Sequence, residues 1–341
     1  MCGLASVLLA RPHVVACETG EVNGTEEVPI LAVVGPTAAG KSETAIDLAV
    51  HLGGEVINAD SMQVYRGMDI GTAKVPPDQR RGVRHHLLDV LDVTEPATVA
   101  EFQSMARSAI ADCRERGAVP VVVGGSALYI RAILDQFEFP GTDHEIRARL
   151  EGELATLGPA RMHARLAERD PAAAEAILPS NGRRIVRALE VIELTGRPFA
   201  AALPPRRYAF DHVAQIGLDV PRPVLDQRIE QRVHAMWAAG LVDEVRALRA
   251  QGLEAGRTAS RALGYAQVLE FLAGERSEDE AREEVIRATR RFARRQDSWF
   301  RKDERISWVP FDAEDRTERA IAETGSVCST AADRVHDVHG R

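Results

Sequence analysis

Residues 35–42, GPTAAGKS, have the residue types and spacing of a phosphate-binding loop. Backbone N–H groups of such a loop surround an anion, its lysine adds charge, and its last hydroxyl reaches Mg²⁺. Lys41 is one of only three lysines among 43 basic residues, so its place in the motif is hard to attribute to chance. The motif predicts a site for a phosphorylated ligand, with Mg²⁺ held by Ser42. The expected phosphate-binding residues are Gly35, Pro36, Thr37, Ala38, Ala39, Gly40, Lys41 and Ser42.

Asp60 is a second candidate, because it ends the strand-like segment EVINAD (55–60). ATP-dependent enzymes with this loop also need an acid at the end of another core strand to hold Mg²⁺. The later strand-like segment ends VVVGGSALY without an acid, and Asp60 is the only acid that we expect at a strand end. We expect its strand to lie beside the phosphate loop. A general base is the favoured role, while a Mg²⁺ ligand and a turn cap stay open.

Residues 60–74 mix polar and charged side chains with two glycines and lack a regular period, which is typical of a binding loop. His85 and His86 follow it. Neighbouring residues of an extended chain point to opposite sides, so a structural or substrate-packing role is favoured over a metal site. Cys2, Cys17, Cys113 and Cys328 lie far apart, with neither metal-like nor disulfide spacing, which fits a reducing cytoplasm.

The segment IRATRRFARRQDSWFRK (286–302) carries seven basic residues and one acid, interleaved with Phe292, Trp299 and Phe300. Arginine with aromatic residues grips phosphates and stacks unpaired bases, although a solvated helix face is the alternative. A second basic set, Arg183, Arg184 and Arg187, lies in a separate helical region. The net charge of −8 argues weakly against nucleic acid, but local patches matter more. Two such surfaces could hold one polyanion.

The elements that position these residues follow from hydrophobic periodicity. Strands are expected at 28–35, 55–60 and 118–125, alternating with helices at 41–53, 99–116 and 126–137. Alternation of this kind predicts an α/β protein with a parallel sheet and helices on both faces. Residues 142–196 show only helical periods. A strand at 212–220, helices at about 223–252, 259–273 and 277–302, and a short strand at 305–310 complete the chain.

We therefore predict a phosphate-loop core, 28–140 and 206–311, interrupted by an all-helical insertion, 141–205. Residues 1–27 and 312–341 are expected to be disordered. No apolar run approaches the roughly 18 residues of a membrane span, and no positive charge precedes the apolar N-terminal segment as in a secretory signal. A cytoplasmic protein without a membrane role is expected.

The ordered set GPTAAGKS, DSMQVYRGMDIGTAK, HHLLDV, VVVGGSALYI, NGRRIVRALEV, RIEQRV, SRALGYAQ and ATRRFARRQDSWFRK resembles the bacterial tRNA dimethylallyltransferases, or tRNA isopentenyltransferases. The resemblance spans roughly residues 29–310. It implies a nucleotide-kinase-like fold whose loop holds the diphosphate of dimethylallyl diphosphate, with Mg²⁺ as cofactor and the tRNA anticodon stem-loop as partner. The prenyl group would go to N6 of adenosine-37, and a monomer is expected.

The resemblance also implies roles for single residues. The counterpart of Asp60 acts on the adenine N6, that of Ser126 lines the channel where donor meets base, and that of Arg232 holds the diphosphate. Ser126 stands where threonine is usual, and Arg294 where lysine is usual. The implied tRNA contacts are Asp60, Ser61, Met62, Gln63, Ser126, Arg147, Arg184, Arg187, Arg261, Gly264, Tyr265, Arg294, Arg295, Gln296, Trp299 and Arg301.

Three other functions share some of these features. The main alternative is an ATP-dependent small-molecule kinase, against which the missing strand-end acid and the basic aromatic helix both count. An RNA-binding module with a vestigial loop is disfavoured by an intact Lys41 and Ser42. Prenylation of free adenine nucleotides would leave the basic surfaces without a role.

Overall fold

The computed structural model describes residues 28–137, 139–199 and 205–323, and the predicted N-terminal extension lies outside them. The described chain forms two compact units. One extends to Leu134 and resumes at Phe210, and the other is Asp135–Ala209. The second unit is longer at both ends than the predicted insertion. Asp135 forms an antiparallel bridge with Tyr208, and the Gln136 N–H donates to the carbonyl of Arg207 at 2.7 Å.

The first unit is built on a six-stranded parallel sheet. Its strands are β1 Ile30–Val34, β2 Glu55–Asn58, β3 His85–His86, β4 Pro120–Gly124, β5 Val213–Asp219 and β6 Ile306–Pro310. Their order is β3-β2-β4-β1-β5-β6, and β1 is buried along its whole length. The predicted α/β class is confirmed. Strand β3 was not predicted, because two residues carry no periodicity.

The labelled helices of this unit are α1 Lys41–Leu52, α2 Val99–Glu115 and α3 Ala127–Leu134 and, after the three helices of the other unit, α7 Arg222–Ala238, α8 Leu241–Ala250, α9 Tyr265–Leu272 and α10 Glu278–Phe300. The single helix predicted over 223–252 is two helices, because Gly240 takes a left-handed φ of 97° between them. In the part of the chain that the structure describes, no helix is long and apolar enough to cross a membrane.

The prediction of disorder from residue 312 onward is wrong for its first part. Residues 316–323 are helical, and Ala320 is completely buried in the core that includes Leu31 and Leu48. The Ser307 hydroxyl also donates to Glu323 at 2.8 Å. The polar composition concealed several apolar positions, since Ala313 and Ile321 also pack against this core. Residues 324–341 lie outside the described chain.

The second unit is helical, as its periodicity predicted. It contains α4 His144–Arg169, α5 Pro171–Ala176 and α6 Gly182–Thr195. Helix α4 is kinked at Gly158, which has a φ of 78° and is followed by Pro159. The two long helices share a buried core of Leu150, Met162, Leu166, Ile185 and Leu189.

Candidate active site at the carboxyl edge of the sheet

A cavity of about 650 Å³ lies where β1, β2 and β4 end. Parallel strands present their carboxyl ends at one edge, which is the usual place for ligands in such sheets. The phosphate loop and the first turn of α1 form one wall, while residues from Asp60 to Arg81 and from Val123 to Gly125 form others. Arg232 of α7 completes the lining. Asp60, Lys41, Ser42 and Arg232, predicted separately, therefore share one cavity.

The phosphate loop connects β1 directly to α1, in the order that the motif predicted. Ala38 and Gly40 take left-handed φ values of 66° and 102°, which turn the chain sharply before the helix begins. The Lys41 ammonium donates to the carbonyl of Pro36 at 2.7 Å and so lies folded over the loop. A helix N-terminus with its free N–H groups and a lysine is an anion site. The geometry fits a phosphorylated ligand.

Strand β2, which leads to Asp60, does not lie beside β1 as predicted, because β4 runs between them. Asp60 still reaches the loop because β4 ends in two glycines. A Cβ on Gly124 would lie 2.7 Å from the Cβ of Ala59, and one on Gly125 would lie 3.4 Å from the carbonyl of Gly35. The GG pair therefore lets two loops approach each other across a strand.

Burial and charge shift the titration of the groups that face this cavity. Burial raises the pKa of Asp60, although the Met62 N–H bond at 2.8 Å and the charge of Lys41 oppose the rise. Burial, with the positive charge of Arg232, lowers the pKa of Lys41 to about 7, against the opposing effect of Asp60. Lys41 and Arg232 thus face Asp60 in one cavity. An anion placed there would restore the full charge of Lys41.

The expectation that Asp60 is the only acid at a strand end is wrong. Asp219 ends β5, which pairs directly with β1. Its carboxylate is already engaged by the guanidinium of Arg301, which also stacks 3.7 Å from the ring centre of Trp308. Asp219 is absent from the cavity lining, so it does not supply the missing acid of an ATP-dependent site.

Several cavity residues were not singled out from the sequence, namely Thr72, Lys74, Gln79 and Arg81. Lys74 is buried and holds the loop together, since its ammonium lies 2.9 Å from the Tyr65 carbonyl and 2.6 Å from both Asp69 and Asp89. Lysine is rare among the basic residues of this chain, and this rarity could have marked Lys74 as important. Arg81 pairs with Asp47 at 2.5 Å, and no local pattern marked it.

The basic helix α10 presents part of its predicted RNA-binding set to solvent. Arg294 and Arg295 are exposed, and Trp299 is 47% exposed. Gln296 differs, because it is buried and bonds to the phosphate loop and to Gly125. Tyr265 is also completely buried, with its hydroxyl 2.5 Å from Glu244, and its contact with tRNA stays a prediction. Ser126 follows Gly125 at the cavity edge without lining it.

Other predicted RNA contacts have differing surroundings. Arg261 is exposed at the turn before α9, whereas Gly264 is buried. In the helical unit Arg184 is exposed. Arg147 and Arg187 lie 2.5 and 2.8 Å from the buried carboxylate of Glu190, so both are engaged by an ion pair within this unit. Their contact with tRNA stays a prediction.

Among the described residues, Glu55, His86 and Cys113 place possible metal-ligand atoms within 4.8 Å of one another. The cluster lies near the amino end of β2, away from Asp60. His86 Nε2 lies 2.5 Å and the Arg116 guanidinium 2.8 Å from the Glu55 carboxylate. Burial and Glu55 raise the pKa of Cys113 to about 12, so its thiol keeps its proton. These contacts favour the structural role predicted for the histidines.

Comparison with known proteins gives a consistent result. A family described as IPP transferase matches residues 63–303. A tRNA dimethylallyltransferase of Thermobifida fusca is 61% identical over 318 residues, covering 89% of this chain and 98% of the relative. One of Streptomyces avermitilis is 65% identical over 289 residues, covering 85% and 92%.

Solved structures agree. The tRNA isopentenylpyrophosphate transferase of Bacillus halodurans is similar with a TM-score of 0.68 and 38% identity, covering 91% of this chain and all 100% of its own. A eukaryotic dimethylallyltransferase described as acting on tRNA has a TM-score of 0.75 at 25% identity, covering 89% of this chain and 80% of its own.

Proposed function

The chain belongs to the IPP transferase family, and from this premise we propose that it transfers the dimethylallyl group of dimethylallyl diphosphate to N6 of adenosine-37 in tRNA. The products are N6-isopentenyladenosine and diphosphate. The enzyme is a prenyl transferase, as its relatives are. The names of these relatives support this activity over the kinase alternative. The observation that carries the proposal is that Asp60 and Lys41 face one cavity.

The phosphate-loop side of the cavity suits the leaving group. The departing diphosphate gains negative charge as the allylic C–O bond breaks, and preorganised positive groups stabilise that charge. The positive groups here are Lys41, Arg232 and the N–H groups at the start of α1. Ser42 lines the cavity beside Lys41, and its hydroxyl has the chemistry of a Mg²⁺ ligand. When bound, the ion would neutralise diphosphate charge.

The Asp60 side of the cavity suits the nucleophile. The adenine amine is a weak nucleophile because its lone pair is delocalised into the ring. A carboxylate within about 3 Å can take the N6 proton as the C–N bond forms. Asp60 has a raised pKa, which makes it a better proton acceptor than an ordinary aspartate. Excluding water from the cavity once donor and adenine are bound would limit the hydrolysis that consumes an allylic cation.

The adenosine has to leave its stack to reach this cavity. Unstacking costs a few kcal/mol and costs least in a loop that is already single-stranded, as an anticodon loop is. The exposed arginines of α10 with Trp299, and Arg184 of the helical unit, are the surfaces that we assign to the RNA. We also assign a cytoplasmic location and a monomeric state.

A transfer assay tests the proposal. Purified protein is incubated with radiolabelled dimethylallyl diphosphate, Mg²⁺ and unmodified tRNA without ATP, and nucleosides from digested tRNA are identified by mass. We expect label in N6-isopentenyladenosine, absent when adenosine-37 is replaced by guanosine. Label transfer only from ATP, or prenylation of free adenine nucleotides with tRNA untouched, would contradict the proposal.

A further inference from the structure

Helix α10 has two faces with different surroundings. Its buried positions Ala293, Gln296 and Phe300 recur at the spacing of one helical face. Arg294, Arg295 and Trp299 are exposed on the remaining surface. Ala293 packs in a small apolar cluster with Ala38 of the phosphate loop and with Leu225 and Ile229 of α7. The helix assigned to RNA on one face therefore contacts the donor site with the other.

Gln296 is the polar member of that buried face. Its Oε1 accepts the N–H of Thr37 at 2.9 Å, and its Nε2 donates to the carbonyl of Gly125 at 2.8 Å. This amide orientation follows from the partners, since a backbone N–H can only donate and a carbonyl can only accept. One side chain thus joins the phosphate loop to the turn that follows β4.

The surroundings of the amide are shaped to fit it. A Cβ at Gly125 would lie 2.5 Å from Nε2 of Gln296, so a larger residue there would displace the end of the Gln296 side chain. Ala38, next to Thr37, holds a left-handed φ of 66°, a strained conformation for a residue with a side chain. A bond to the neighbouring N–H helps to keep the loop in that conformation. The contact is specific in both distance and shape.

We propose that Gln296 is a positioning residue of the donor site, which fixes the phosphate loop and the Gly125 turn against α10, and that it is not an RNA contact. The proposal rests on the proposed function for the identity of the donor. It replaces the expectation that Gln296 reaches tRNA as its neighbours do. Because the same helix carries the exposed arginines, the donor loop and the RNA-binding face share one rigid element.

Two substitutions separate the bonds of the amide. Gln296→Met keeps the length of the side chain and removes both hydrogen bonds. Gln296→Glu keeps an acceptor for Thr37 and places a carboxylate against the Gly125 carbonyl. Arg294→Ala, two residues away on the exposed face, is the matched control for RNA binding. Thermal unfolding and circular dichroism check that each variant is folded.

Three measurements are compared, namely the Kd of inorganic diphosphate with Mg²⁺, the Kd of unmodified tRNA, and hydrogen exchange at the Thr37 amide by NMR. Gln296→Met should weaken diphosphate binding roughly three- to tenfold, the effect of one or two hydrogen bonds. It should speed exchange at Thr37 and leave the Kd of tRNA within about twofold of wild type, while Arg294→Ala should do the reverse. Gln296→Glu should keep Thr37 protected.

The proposal is overturned if Gln296→Met weakens tRNA binding as Arg294→Ala does while diphosphate binding and Thr37 exchange are unchanged. It is also overturned if no measurement changes. If Gln296→Met does not fold, the test is hydrogen exchange at the Thr37 amide in Gln296→Glu. Loss of protection of that amide would count against the proposal. Absence of prenyl transfer by the wild type would refute the proposed function alone, since these binding and exchange measurements need no turnover.

Discussion

At the scale of single residues, Lys41 and Asp60 are tuned by each other and by burial. The pKa of Lys41 is lowered to about 7 and that of Asp60 is raised, although the two charges attract. Burial therefore outweighs the attraction for both groups. The free site is short of negative charge and holds Lys41 near its point of deprotonation at neutral pH. Ligand charge and protein protonation are coupled as a result.

That coupling predicts how diphosphate affinity changes with pH. The ligand binds the protonated ammonium, so affinity should be full below pH 7 and fall as pH rises through about 7, the pKa of Lys41. The limiting slope is about tenfold per pH unit. Lys41→Arg stays charged over this range. The Kd of inorganic diphosphate with Mg²⁺ is measured by calorimetry from pH 6 to 9 for both proteins. The quantity compared is the Kd of the wild type divided by the Kd of Lys41→Arg, because the ligand's own titration affects both values equally. A ratio that does not rise with pH would contradict the prediction.

Substitution of Asp60 tests its role in the chemistry. Asn retains an oxygen that can accept the Met62 N–H, so Asp60→Asn should keep the turn but lose the base. We expect kcat to fall about 10²- to 10⁴-fold, the usual contribution of a general base. Single-turnover transfer and tRNA filter binding measure the two effects, and the Kd of tRNA should change little. Equal losses in kcat and in tRNA affinity would assign Asp60 to binding instead.

The residue types of the site could be predicted from the sequence, but their partners could not. Glycine, lysine and serine in the loop form a local pattern, and so does an acid after a strand. Gln296 lies among basic neighbours, yet it faces inward, and so does Tyr265. For Gln296 the spacing to Ala293 and Phe300 was a usable signal. Nothing local showed that Asp219 would be paired with Arg301.

At the scale of elements, Glu244 of α8 holds the loop that follows Asp60. Its carboxylate accepts the N–H groups of Asp69, Ile70 and Gly71 at 3.1, 2.7 and 3.2 Å. The Tyr265 hydroxyl donates to the same carboxylate, and its ring leaves no room for a Cβ at Gly71. One helix and the start of another thus fix a loop that has no regular structure of its own.

Glu244→Ala should therefore destabilise the protein. Removing the acceptor leaves part-buried donors unsatisfied, which costs about 1 to 3 kcal/mol in the free energy of unfolding. Asp243→Ala is the matched control, since that side chain is 80% exposed and should change stability by less than about 0.5 kcal/mol. Urea unfolding followed by circular dichroism gives both values. Equal changes in the free energy of unfolding in the two variants would show that Glu244 does not hold this loop.

The order of the strands could not be predicted from the sequence, because it too depends on contacts between distant residues. Periodicity identified five of the six strands, but it does not show which strands are neighbours. The placement of β4 between β1 and β2 depends on packing that involves the whole sheet. The Gly124 and Gly125 pair is plain in the sequence, but the close approach of Ala59 and Gly35 that it permits depends on the order of the strands.

At the scale of the whole molecule, the charges are unevenly distributed. The net charge is −8, yet residues 286–302 contain seven basic residues and one acid. Part of that basic charge is used internally, since Arg290 pairs with Glu230 and Arg291 with Glu284. A polyanion would thus be repelled by the molecule as a whole and attracted by the exposed remainder of one helix. The balance depends on how far each charge is screened.

Salt dependence of tRNA binding tests this balance. Each phosphate contact to a single-stranded loop contributes about −0.7 to the slope of log affinity against log salt concentration, because counterions are released. The double variant Arg294→Ala with Arg295→Ala should make the slope shallower by about one unit or more. Arg319 lies in the 316–323 helix, where it is exposed and paired with Asp315, so Arg319→Ala should leave the slope unchanged. Filter binding between 50 and 300 mM salt gives the slopes. A flat dependence in the wild type, or an equal loss in the Arg319 variant, would mean that tRNA is held by some other surface than α10.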